Sequence, residues 1–507
     1  MNLSNALNAC LARPCNATIR QEMCNIAPHR GSVVPSIRRL ITLREDLGPT
    51  IVGYQDKNAG QCTLECPVLQ HRREKASYYD DIAHFERTPL DLDAYAALMQ
   101  SIHSANDWHF ISPFPAHGKC QIPYAYAFQK AKDIAKNRII VSYFHHPLKK
   151  IYNYGSRALT FILKHANLDA FTLWNVKDMT STLRQFMSEM GGRHGPHTRY
   201  LTYCADVKEM YTGLPHDVLL RSIAFAIDRC ATTHRQGRRR RVRLERRAHG
   251  SILFGRGPPL QDQFVTLTFD QIKAICRADV TTCFFETLGV VLRQFVGVPP
   301  WAYAICICMY YEHQFHSSVF DWCRLANVPD AGTIYRFMRY VDDVLGFVAY
   351  DARFPESKAF ARLIVDRLTT SYHPNMILKE EPSAGWFPFL EGLVHIADST
   401  DLSVRYHNKN FTPLLTTGKP KLYTTQHRTS FQSRAQAVKK LVGAIHRLRR
   451  VSLDPVYRII DTIELFLVMR HDGYSTSEFG SALEQVSNKL TEPFRAHMEP
   501  VLAHLRF

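Results

Sequence analysis

No apolar run in this sequence is long enough to span a membrane. The nearest, residues 295–311, is short and carries two prolines, whereas a spanning helix needs about 20 apolar residues. The start lacks the basic and apolar regions of a secretory signal. It bears arginine and no acid before Glu22, a weak pointer to organelle import. No internal repeat is present. Evenly paired cysteine is lacking too: the 13 cysteines are an odd number, scattered through apparent core segments at Cys204, Cys306 and Cys308. That pattern suits reduced thiols in a cytosolic, nuclear or organellar compartment. Cys10, Cys15, Cys24, Cys62 and Cys66, with His71 nearby, form a denser group. Their spacing is not that of a zinc knuckle, so plain thiols are expected.

Acids are scarce relative to bases: 46 Asp and Glu against 63 Lys and Arg, for a net charge of +17. Such an excess attracts polyanions. Alone it does not separate a polymerase from a nuclease, an RNA-binding factor or a membrane-surface protein, and solubility would explain it as well. At 507 residues, with 46% hydrophobic and 21% charged residues, the chain is globular and long enough for two to four domains.

Residues 1–110 carry no catalytic pattern and are expected to form a mainly helical N-terminal extension, with a helix over residues 83–107 containing Pro89 early. Residues 111–400 alternate β-rich and helical segments, as an α+β domain would. Residues 401–507 turn basic and then helical. The run GRRRRVRLERR at residues 237–247 reads as a solvated loop, a nuclear-import signal, or a hairpin gripping phosphates.

The strongest local feature is IYRFMRYVDDVLGFVAY, residues 334–350. Two apolar, β-branched and aromatic runs flank Asp342–Asp343, the pattern of a β-hairpin whose turn carries the acids. Adjacent carboxylates between apolar strands repel unless a cation or solvent compensates. Mg²⁺ prefers one or two carboxylates plus substrate phosphates, so a further acid should arrive from a neighbouring strand. Upstream, RYLTYCADVKEMYTGLP at residues 199–215 predicts a strand ending at Asp206, a break at Gly213 and Pro215, and then a helix. Together the acids could hold two divalent ions about 3.5–4 Å apart for in-line phosphoryl transfer. Val207 is counted with them as a metal-site position.

In this order the segments resemble the motifs of reverse transcriptases. YVDD at residues 340–343 is similar to their YxDD box, and Asp206 stands where their first catalytic aspartate does. KDIAKNRIIVSYFHHP at residues 132–147 resembles the fingers motif that holds the incoming triphosphate. RQFVGVPPWAYAICICMYYE at residues 293–312 resembles the glycine turn and helix under the template, and NMILKEEPSAGWFPFLEGLVHI at residues 375–396 resembles the following motif and primer grip. DVKEMYTGLP, RIIVSYFHHP and FLEGLV resemble most the Penelope-like retroelements, a group allied to telomerase. The likeness covers residues 120–450. It implies a right-hand polymerase with fingers, an antiparallel-sheet palm and a helical thumb, working with two Mg²⁺ ions for which Mn²⁺ can substitute. The implied partners are an RNA template, a DNA primer or RNA–DNA duplex, and dNTPs, with no membrane; the expected compartment is the nucleus, or else an organelle.

The resemblance implies residue roles. Arg138, and then Lys132 with Lys130 or Lys136 as its alternatives, would bind the triphosphate. Tyr211, five residues after Asp206, would exclude a 2′-hydroxyl, and Gly297 would shape the nucleotide side of the helix turn. Lys379 is a general-acid candidate, with a solvent-facing charge as the alternative. In QHRTSFQSRAQAVKKLVGAIHRLRR, residues 426–450, Ala437, Leu441, Ile445 and Leu448 predict a buried stripe. Lys439, Lys440, Arg447 and Arg449 lie off it as duplex contacts. Trp301, where the family has a second glycine, is expected to touch template or nucleotide. Ile139 replaces a common proline and Glu391 a common aspartate. No GIY-YIG endonuclease signature follows, so target cleavage is not expected from this chain. The alternatives are an inactive nucleic-acid-binding descendant and an RNA-directed RNA polymerase.

Overall fold

The computed structural model describes residues 37–488 and 496, except 49, 57, 117–118, 131–132, 192–195, 209, 212, 234–239, 248, 256–262, 298–300, 326–333, 382–384, 397–401, 423–426 and 429–432. Residues 37–110 supply α1 (Ile37–Leu47), α2 (Pro67–Glu74) and α3 (Leu92–Ala105). They also supply β1 (Ile51–Asp56), β2 (Asn58–Glu65) and β3 (Phe85–Thr88), which the sequence reading did not anticipate. The helix expected over residues 83–107 therefore begins later. Pro89 biases Thr88 toward extended geometry, and Asp91 caps α3 by accepting from the Ala94 N–H at 2.8 Å.

These strands join β4 (Tyr124–Lys130), β5 (Asp133–Ser142), β10 (Phe284–Thr287) and β11 (Val290–Gln294) in a seven-stranded sheet. Its order is β2-β1-β4-β10-β11-β3, with β5 paired to β4. Ala125 and Ala127 face a small core with Tyr78, Phe85, Phe285 and Leu292. Alternation along a strand then places Tyr124, Tyr126 and Phe128 on the opposite face.

A second sheet carries the candidate site. It comprises β6 (Thr198–Lys208), β12 (Tyr335–Tyr340), β13 (Asp343–Asp351) and β14 (Ile377–Glu380), antiparallel in the order β12-β13-β6-β14. β6 runs two residues beyond the predicted end at Asp206, because β14 continues the ladder to Lys208. One face, with Tyr203, Ala205, Val207, Phe337, Val344 and Val348, is buried in the main core. That core is shared with α4 (Lys149–His165), α6 (His216–Thr233), α7 (Phe269–Thr281), α8 (Trp301–Leu325) and α9 (Pro355–Ser371). The other face, with Cys204, Leu345 and Phe347, packs on α5 (Met179–Gly191) and on a sheet of β15 (Phe387–Phe389), β16 (Gly392–Ile396) and β17 (Leu402–Tyr406). Gly346 is dictated by close approach, since a Cβ there would lie 1.9 Å from the ring of Phe337, its cross-strand partner.

The basic run contains a strand: β7 (Arg241–Glu245) is central in a sheet with β8 (Ile252–Phe254) and β9 (Phe264–Thr268), while Gly237, Arg238 and Arg239 lie outside the described residues. Beyond α10 (Phe411–Thr417), helices α11 (Arg434–Val451), α12 (Pro455–His471) and α13 (Thr476–Ser487) enclose a separate core. Ala437, Leu441, Ile445 and Leu448 are buried there, as their spacing predicts. The helix expected from Gln426 starts instead at Arg434, where Ser433 and Gln436 form a reciprocal capping box. Cys204, Cys306 and Cys308 are free and buried; Cys10, Cys15 and Cys24 lie outside the described residues. Among the described residues, no helix is long and apolar enough to cross a membrane.

Candidate active site

β12 and β13 are joined by a two-residue turn, Val341–Asp342, closed by the pair Tyr340↔Asp343. Right-handed strand twist favours turns with positive φ at such positions, and Val341 adopts φ +57°. β13 then pairs with β6 so that Asp343 lies opposite Asp206, and β14 sets Lys379 opposite Asp206 on its far side. Directly opposed residues in antiparallel strands share a face at Cβ separations of about 4.5–5.5 Å. Tyr340, Asp343, Asp206 and Lys379 therefore form one row across the sheet. Asp342 completes the acidic cluster: Asp206, Asp342 and Asp343, each half-buried, offer carboxylate oxygens all within 4.8 Å of one another. The Val207 N–H donates to the Asp342 carbonyl at 2.8 Å, tying β6 to the turn. Val207 sends its side chain into the core on the other face, so only its main chain borders the acids.

Three hard oxygen donors on one half-buried edge match what Mg²⁺ takes from protein, with room for substrate oxygens. Without a cation, three neighbouring carboxylates repel strongly at low effective dielectric. The donor set thus fits a divalent ion or a pair of them.

Of the other expected residues, Lys379 joins the acids in the cross-strand row and Tyr211 lies within the charge of Asp342. Tyr211 is part-buried against the main core. Burial, reinforced by the charge of Asp342, pushes its phenol up to about 12, while Arg138 acts in the opposite sense. Both charges therefore act on the ring, and the phenol is neutral at assay pH. Arg138 is exposed on β5, opposite Phe128. Tyr124, Tyr126 and Phe128 on that same face follow one another with ring centroids 5.7 and 5.1 Å apart. This aromatic row was missed in sequence, although the alternation YAYAF announces it. Gly297 is buried with φ +102°, which only glycine adopts easily. Its N–H donates to the Leu214 carbonyl at 2.8 Å and its carbonyl accepts from His216 Nε2 at 3.0 Å. The turn before α8 is thereby fastened to the segment that follows Asp206. Trp301 opens α8, with the placement of its indole outside the described part, and Lys132 lies outside the described residues.

Lys439 is exposed and Lys440 and Arg449 are half-buried on α11. Arg447 and Arg450 instead bracket Glu391, at 3.3 and 3.4 Å. Glu391 sits in the β15–β16 turn, so this hairpin and α11 are joined by charge. Sequence reasoning also missed Arg339 and Glu312, both fully buried and paired. A charge at an inward strand position was the available signal.

The sequence matches no protein-family model and no curated protein. Among solved structures, the mixed helix-and-sheet architecture is that of a right-hand polymerase. The likeness is to a telomerase from Candida albicans in complex with a TWJ fragment of telomeric RNA, at TM-score 0.50 and 12% identity, covering 92% of this chain and 65% of that one. This chain thus spans slightly less than two thirds of that telomerase's length. An apo telomerase from Candida tropicalis gives TM-score 0.47 and 11% identity over 90% of this chain and 69% of that one. The Sicinivirus 3Dpol RNA-dependent RNA polymerase gives 0.37 and 12% over 75% and 67%.

Proposed function

We propose that this chain is an RNA-directed DNA polymerase that extends a primer 3′-hydroxyl with dNTPs on an RNA template. The observation that carries the reading is the convergence of Asp206 with Asp342 and Asp343 at one sheet edge. Bound there, Mg²⁺ would make the attacking hydroxyl more acidic and stabilise charge on the leaving pyrophosphate. The chain's own groups do the rest. Arg138 would hold the triphosphate, and the neighbouring Tyr124–Tyr126–Phe128 row would stack template bases. Tyr211 would close against the sugar and leave no space for a 2′-hydroxyl. Lys379, beside Asp206 in the cross-strand row, would give its proton to the leaving pyrophosphate. In this reading β4–β5 belongs to the fingers, β6 with β12–β14 to the palm, and α11–α13 to the thumb that follows the duplex. Lys439, Lys440 and Arg449 would meet its backbone, and Trp301 the template. The motif likeness favours a Penelope-like enzyme acting in the nucleus.

Primer extension on an RNA template, with dNTPs and NTPs offered separately and Mg²⁺ or Mn²⁺ present, decides it. Incorporation of dNTPs that disappears in Asp342→Asn is expected. Preferential use of NTPs would make the chain an RNA polymerase instead. Template binding without incorporation under any condition would leave only a nucleic-acid-binding protein.

A further inference from the structure

The acids sit on one face of the palm sheet, and the groups that fix their turn sit on the other. Arg339, two residues before Val341, points into the main core with no exposed surface, and Glu312 of α8 is equally buried. Their ion pair uses both carboxylate oxygens: Arg339 Nε donates to Glu312 Oε1, and Nη2 to Oε2 at 3.3 Å. Two of the three remaining donors are used locally. Nη1 donates to the Val341 carbonyl at 2.9 Å and Nη2 to Thr172 Oγ1 at 2.8 Å. Glu312 is saturated in turn, accepting from the Tyr372 hydroxyl at 2.8 Å and from the Phe171 N–H at 3.0 Å. Main-chain bonds of 2.7 Å run from Arg339 N–H to the Phe171 carbonyl and from Leu173 N–H to the Arg339 carbonyl.

A buried ion pair is costly to desolvate and is often replaceable by apolar residues without loss of stability. Stability alone is thus a weak account of a network that engages four of the five guanidinium N–H groups and both oxygens of the carboxylate. What the network does hold is one carbonyl, in a β-branched residue whose φ of +57° is intrinsically unfavourable. Asp342 is the next residue along the chain.

We infer that the Arg339–Glu312 pair is a positioning device: by gripping the Val341 carbonyl it fixes the turn that sets Asp342 beside Asp206, and it links α8 rigidly to the metal-binding edge. This rests on the polymerase reading only for what α8 carries, the template side. Metal ligation depends on the acids alone. Arg339 and Glu312 touch no reacting group, so they act through the turn and not on substrate.

The test is Mn²⁺ binding by the full chain, followed by electron paramagnetic resonance of the free ion, alongside primer extension. Arg339→Met combined with Glu312→Leu removes the pair without stranding a buried charge. Its Mn²⁺ dissociation constant is expected to rise at least about tenfold, as for loss of outer-shell support at metal sites. Its thermal midpoint is expected to stay close to wild type. Extension, where measured, should need correspondingly more Mg²⁺, with the KM for dNTP little changed. Tyr372→Phe deletes one hydroxyl bond to Glu312 and should shift Mn²⁺ affinity the same way by about threefold. It carries the test if the double variant does not fold. Unchanged Mn²⁺ affinity in a folded variant, or no Mn²⁺ binding by wild type, overturns the inference. A wild-type chain that binds Mn²⁺ but incorporates nothing would overturn the polymerase reading and leave this inference to the affinity data.

Discussion

Two hairpin turns in this molecule share one backbone solution and differ in what surrounds their acid. Val341–Asp342 and Leu390–Glu391 each join paired strands across two residues, closed by Tyr340↔Asp343 and Phe389↔Gly392. In each, a bulky residue takes positive φ, +57° at Val341 and +56° at Leu390, and an acid follows. At the second turn, Arg447 and Arg450 from α11 neutralise Glu391. At the first, the acid is set among two further acids and the nearest buried guanidinium, Arg339, is engaged by Glu312 on the far face. One geometry clasps a hairpin to α11 in one place and, in the other, presents an acid to a cluster that could hold a cation. The difference lies in the partner element brought up to the turn and not in the turn itself.

The largest expected effect breaks that comparison at its acidic member. Asp342→Asn should lower dNTP incorporation on the order of 10³-fold or more, since a group acting on transition-state charge is removed. Template binding by filter retention should be preserved. Glu391→Gln, the matching change at the other turn, should leave the Mg²⁺ requirement where it was. A similar loss in both variants would mean that the acids serve only to hold the two turns.

Next in size is the selectivity attached to the first turn. Tyr211 lies within the field of Asp342 and Arg138. Discrimination by steric exclusion is lost when the obstructing ring is removed. Tyr211→Ala should therefore reduce the preference for dNTPs over NTPs by about 10²-fold in kcat/KM, while Tyr211→Phe keeps it. Unaltered selectivity in the alanine variant would assign the ring to core packing.

Glu391→Gln sharpens the second turn. Its ion pairs are partly exposed and worth about 0–1 kcal/mol each, so the thermal midpoint should move little. If α11 follows a bound duplex as proposed, releasing Arg447 and Arg450 adds two cations near it. Affinity should rise a few-fold at low salt and fall more steeply as salt increases, by up to about two counterions in the logarithmic slope. A flat response would place this face of α11 away from nucleic acid.

The two turns also show what the sequence could disclose. The hairpin at residues 335–351 was legible because its apolar runs flank a short acidic break, and that pattern fixes both register and turn. Asp206 was legible as a strand residue followed by turn signals, although its pairing with Asp343 needed the structure. The stripe on α11 was legible from spacing alone. Other features depend on partners far away in the chain. β3 pairs with β11, Thr88 lying opposite Val291, and nothing local in FERT specifies a partner some 200 residues on. Arg339 looked like any strand residue of RFMRY, because the acid that satisfies it belongs to α8. The pairing of Arg447 with Glu391 was not legible, because Glu391 was read only as a variant of a motif.

The smallest expected effect probes the shared backbone. Positive φ disfavours a β-branched residue by about 1–2 kcal/mol, and asparagine tolerates it best among residues with a side chain. Val341→Asn and Leu390→Asn both relieve that strain, but both give up apolar contacts, since Val341 and Leu390 are packed against the main core and the smaller palm core. The two terms nearly cancel, leaving a stability change within about 1 kcal/mol of wild type at either position, measured by denaturant unfolding. The turns should then separate in function. At Leu390 the conformation is held by the strand pairing and by arginines on the acid itself. At Val341 it is held by a hydrogen bond to the carbonyl, which asparagine leaves intact, so Mn²⁺ affinity should survive the substitution. Loss of that affinity in Val341→Asn would mean that valine packing, and not the guanidinium beneath the turn, places Asp342.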